Sequence, residues 1–216
     1  MKKPKGKTKK APPIYFETDE IEEMINSLEQ AYKAALDLTA STINWKWVTL
    51  AMHSAVQGAC VCALRGADTS GVNVLEKKSR EEMLDWLNLP PAKQKKKPYP
   101  KEKLASPKDL FKRVQKPLWM HGATPMIADE KIKWAFGKLC DFRNEFIHFV
   151  PKSWAIEVSG MPVIIERMCD VVEHLAVKHP SFAHHMEEPQ VERLQRALAC
   201  IREGVKAWAA LNGISK

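Results

Sequence analysis

Apolar residues recur every three or four positions along most of the chain, and the breaks in that rhythm divide it into elements. Ile21, Met24, Ile25, Leu28, Ala31, Tyr32, Ala35 and Leu36 predict a helix from about Asp19 to Thr39, with Asp19 and Glu22 spaced as a capping box. From about Ile43 to Arg65 the residues are apolar or small on nearly every face and stop at Gly66, which predicts a central helix. Ser79 and Glu82 repeat the capping-box spacing and open a short helix carrying Met83, Trp86 and Leu87. The rhythm is lost over 88–103, NLPPAKQKKKPYPKEK, where four prolines and six lysines predict an irregular surface loop, with 88–107 as its full extent. Pro107 behind Ser106 starts a helix to Lys116, and Asp129 starts another striped by Ile132, Phe136, Leu139, Cys140, Phe142 and Phe146. Trp154, Ile156 and Val158 alternate with polar or small neighbours, as a short β element would, and helices follow near Pro162–Lys178 and Pro189–Leu211. The expectation is an all-α bundle, a single domain over 14–216, with a short β element after the Asp129 helix.

Composition narrows this picture. A chain of 216 residues with 45% apolar content buries one sizeable core. Residues 1–13 have too little apolar surface to offset ordering and are expected to form a disordered basic tail. That tail carries +6 and residues 93–103 carry +5, so the remaining chain stands at −3 although the total is +8. The basicity is therefore local, and Lys95, Lys96 and Lys97 are candidates for salt-dependent attraction to RNA. Cys60, Cys62, Cys140, Cys169 and Cys200 sit in apolar helical surroundings with no CxxC pair, which predicts reduced core thiols in a cytoplasmic protein. No apolar segment follows the basic N-terminus, so export is not expected, and the run Val48–Leu64 is interrupted by His53, Ser54 and Gln57, which argues for a core helix and against membrane insertion.

The candidate chemistry lies in DFRNEFIHFVPKSW, residues 141–154. Pro151 clashes with the carbonyl of Ile147 and drives Val150 from the helical region, so the helix should stop near His148 or Phe149. Arg143 offers a planar fork for a phosphate diester, Asn144 a small amide beside it, and His148 an imidazole that moves protons near neutral pH. Two copies across a two-fold axis would bring acid and base together. His53 and Gln57, four apart on the central helix, are candidates to support this site, and Trp154 is placed to stack a base. His174, His179, His184 and His185 straddle Pro180 without a paired-ligand spacing, so no metal and no cofactor is expected.

The segment RNEFIH resembles the Arg-x4–6-His motif of the HEPN superfamily (higher eukaryotes and prokaryotes nucleotide-binding), in which a polar residue directly follows the arginine. The helix WKWVTLAMHSAVQGACVCAL is similar to the early helix of such domains. The resemblance implies a helical homodimer acting as a metal-independent endoribonuclease, of the sort found as toxins and phage-defence effectors, with Arg143, Asn144 and His148 as the catalytic set. It also implies RNA and a regulatory or antitoxin protein as partners. Val150 stands where the common toxin form has a tyrosine, so an antitoxin that modifies that tyrosine is not implied. The alternative is a catalytically silent HEPN-like module that binds a nucleotide, RNA or a protein.

Overall fold

The structure is a computed structural model that describes residues 15–66, 70–120, 124–148, 155–178 and 185–214. The basic tail expected over 1–13 lies outside the described residues. Eight α-helices are described: α1 (Glu20–Leu36), α2 (Asn44–Arg65), α3 (Lys77–Leu87), α4 (Pro91–Gln94), α5 (Pro107–Arg113), α6 (Glu130–Ile147), α7 (Met161–Glu173) and α8 (Glu188–Leu211). A π-helical turn, His174–Lys178, extends α7.

The helix α2 is the axis of the bundle. Its buried residues, among them Trp45, Val48, Met52, Val56, Ala59, Cys60 and Leu64, point to all sides. It packs against α1, α5, α6 and α7, while α8 bridges α1 and α7 and α7 also packs on α6. By length and composition α2 alone among the described helices suits a bilayer, yet 61% of its most apolar window is buried within the bundle. Close approach is permitted by small residues: Gly204 of α8 lies against Ala35 of α1, and Gly58 of α2 against Met24.

Several boundaries follow the cap chemistry. The Asp19 carboxylate accepts from the N–H groups of Ile21 and Glu22, Ser106 accepts from Asp109, and Asp129 accepts from Ile132. Gly66 takes φ +46 at the end of α2, a conformation costly to any residue with a side chain. The expected capping boxes differ in detail. Glu22 turns away from Asp19 to accept from Arg193 of α8, which also holds Glu29, and the pair clamps α1 to α8. Ser79 does not open α3, which starts two residues earlier. It is buried, donates to the carbonyl of Lys101 at 2.7 Å and accepts from the N–H of Lys103 at 3.0 Å.

That contact ties down the segment at 88–107, which is mostly exposed and irregular apart from one helical turn. Pro90 and Pro91 start the single turn α4, Gln94 donates to the carbonyls of Trp86 and Leu87, and Tyr99 packs edge-on against Trp86 at 5.1 Å. Prolines preset φ here and so favour order. The short β element expected after α6 is not formed among the described residues: 155–158 are irregular, and the one β pairing described is an isolated bridge between Leu75 and Leu104. Alternation alone does not make a strand without a neighbouring edge to pair with.

Candidate functional site

The Asp129 cap fixes the phase of α6, and that phase sorts its side chains. Ala135, Phe136, Leu139, Cys140 and Phe146 are buried against the bundle. Arg143 belongs to the same stripe, seven residues after Phe136, four after Leu139 and three before Phe146, and is half-buried. Trp134, Lys138, Asp141, Glu145 and His148 form the opposite, exposed stripe. The helix ends at Ile147, and His148 is its C-cap, with φ −108°, ψ 46° and its N–H donating to the Asn144 carbonyl at 2.8 Å. The stop falls where the sequence predicts it, although Pro151 itself lies outside the described residues. Positions five apart differ by about 140° around a helix, so Arg143 and His148 of one chain do not face a common point.

Arg143 Nη1 donates to Asn144 Oδ1 at 3.0 Å, and among the described residues no carboxylate pairs with it. Across the seam with α2 is His53, only 7% exposed. Burial, reinforced by the positive charge of Arg143, holds the His53 imidazole down at about 4, so it is neutral at physiological pH. Burial raises the Cys140 thiol, while the charges of Lys108 and Arg143 act on it in the opposite sense. The Asp141 carboxylate acts with burial, so the field at Cys140 is mixed in sign. A half-buried guanidinium without a carboxylate partner among the described residues has the chemistry to accept an anion.

Beyond His53, the seam opens into a cleft of about 590 Å³ lined by Ser41, Thr42, Ile43, Trp45, Phe146 and Val158, among others. The buried indole N–H of Trp45 and hydroxyl of Thr49 have no hydrogen-bond partner among the described residues. Of the supporting candidates, His53 lies within the electrostatic reach of Arg143, but Gln57 lines a separate groove between α1 and α2 with Glu20, Glu23 and Ser27. Four residues along α2 rotate it past the α6 seam. Trp154 lies outside the described residues. Lys95, Lys96 and Lys97 are exposed on the α4 loop. His179 and His184 lie outside the described residues, and among those described no three His, Cys, Asp or Glu side chains converge as ligands.

The cysteines are all free, four buried and Cys200 half-buried, with burial pushing Cys60 and Cys169 up to about 12. The four buried ones pack as small apolar residues, and burial makes them poor nucleophiles. No protein-family model, no curated protein and no solved structure matches the chain.

Proposed function

We propose that the chain is a HEPN-like, metal-independent endoribonuclease that acts as a homodimer in the cytoplasm, in the manner of a toxin or phage-defence effector under a protein regulator. The observation that carries this reading is the environment of Arg143: on a core-facing stripe, bonded to the Asn144 amide, backed by neutral His53 and without a carboxylate among the described residues. A guanidinium held this way retains its charge for a phosphate undergoing transfer. His148, exposed at the helix end, supplies the proton chemistry. The ribose 2′-oxygen attacks the adjacent phosphorus as one His148 takes the 2′-hydroxyl proton. The bond from phosphorus to the 5′-oxygen breaks, and the His148 of a second copy protonates the leaving oxygen. A 2′,3′-cyclic phosphate and a 5′-hydroxyl result, and Asn144 orients the Arg143 fork.

One observation favours the silent nucleotide- or RNA-binding module: the angular separation of Arg143 and His148 leaves a single chain with a cation site and no proton donor opposite it. Incubating the purified chain with mixed RNAs in EDTA separates the readings. The ribonuclease cleaves, leaves cyclic phosphate ends, spares a substrate with 2′-deoxyribose at the scissile position, and loses about 100-fold in rate with His148→Ala. Arg143→Lys is impaired as well, since a point charge does not replace the planar fork. Absence of cleavage with binding that depends on Arg143 but not His148 establishes the silent module. Cleavage that requires a divalent metal rejects both.

A further inference from the structure

Residues 71–120 hold thirteen Lys and Arg against six Asp and Glu, a net charge of +7 on α3, α4, α5 and their connections. The inner side of this lobe contains Trp119, with the guanidinium of Arg113 4.6 Å and that of Arg80 4.9 Å from its ring centroid. The two arginines differ. Arg113 is structural: its Nη1 donates to the carbonyls of Asn73 and Leu75 at 2.8 and 2.7 Å and ties α5 to the turn before α3. Arg80 has no such task. Among the described residues it forms no ion pair, its Nε is buried without a hydrogen-bond partner, and it faces the like charge of Arg113. Stacking on an indole fixes a guanidinium plane while leaving its fork unsatisfied.

The surroundings indicate what satisfies it. The lysine-rich segment is pinned to α3 through Ser79, so Lys95, Lys96, Lys97 and Lys101 are displayed from a fixed backbone. Tyr99, among those lysines, is 58% exposed, and Leu118, next to Trp119, is 84% exposed. Fixed cations interleaved with exposed aromatic and apolar groups suit a single-stranded polynucleotide, whose phosphates meet the charges and whose unstacked bases meet the rings.

We infer that the α3–α5 lobe is a second nucleic-acid site, separate from Arg143, in which the Arg80 fork grips a backbone phosphate of a single strand and Lys95, Lys96 and Lys97 hold neighbouring phosphates. The site does not require that the chain cleave what it binds.

The test uses the full chain and a labelled single-stranded 2′-deoxy oligonucleotide, which has no 2′-hydroxyl to attack, with binding followed by fluorescence anisotropy across a salt series. Each lost phosphate contact lowers the magnitude of the log–log salt slope by about 0.7 on a single strand. Arg80→Gln lowers it by that amount and weakens binding several-fold, while loss of the stacking on Trp119 lowers the melting temperature by no more than a few degrees. The triple change Lys95→Gln, Lys96→Gln, Lys97→Gln lowers the slope by about 2, and being confined to exposed side chains it serves as the control on folding. Unchanged slope and affinity in both variants overturn the site. So does displacement of the oligonucleotide by poly-glutamate at equal charge, which would mark a general acidic-polymer surface. Failure of the wild type to cleave RNA rejects the ribonuclease reading alone and leaves these slopes as the measure of this one.

Discussion

At the residue scale, His53 is the side chain whose chemistry is most altered by the fold. Its folded-state value of about 4 lies below its ordinary 6.5, because burial and the Arg143 charge both penalise the imidazolium. Above pH 6.5 the folded and unfolded chains both carry a neutral His53, and its contribution to folding stability is fully present. As pH falls toward 4 the unfolded chain takes up the proton first, so stability declines, by about 3 kcal/mol at the lower end of the window. His53→Gln should therefore flatten the difference in urea stability between pH 7.5 and pH 5, and a variant that loses as much as the wild type over that interval would refute the coupling. The same substitution should leave the cation at Arg143 in place, because its hydrogen bond runs to Asn144.

At the element scale, two glycines separate helix propensity from packing. Gly137 on α6 has open space where a Cβ would stand, and Gly204 on α8 would set its Cβ 2.6 Å from the Ala35 carbonyl oxygen. Gly137→Ala should stabilise by about 0.5–1 kcal/mol through the backbone entropy of the unfolded chain. Gly204→Ala gains the same term but must push α8 away from α1 backbone, a cost of about 1–3 kcal/mol, so it should melt lower. Thermal melts of the two variants check the opposite signs. What the sequence reveals and conceals divides along the same line. Caps are local, so Asp19, Ser106, Asp129 and Gly66 placed helix ends within a few residues. Partners distant in the chain are not local: Glu22 with Arg193 and Ser79 with Lys101 depend on how helices pack. The spacing of Arg143 and His148 already implies that they diverge around α6, whereas which of them faces the core became evident only once the Asp129 cap and the buried stripe fixed the phase.

At the scale of the whole molecule, the proposed chemistry requires more than one chain. A phosphodiester transfer needs one group to take the 2′ proton and another to give one to the leaving oxygen, and the α6 terminus of a single copy presents one imidazole, facing away from Arg143. A second copy related by a two-fold axis supplies the other. Light scattering should therefore report a dimer at micromolar concentration. The catalytic dependence is tested by mixing wild type with His148→Ala, unfolding and refolding them together so that subunits exchange. If both imidazoles serve one centre, mixed dimers are inactive and the rate follows the square of the wild-type fraction, so an equal mixture retains about a quarter of the rate. If each copy works alone, the same mixture retains about half, and that linear result would reject the shared centre without bearing on the proposed anion contact at Arg143.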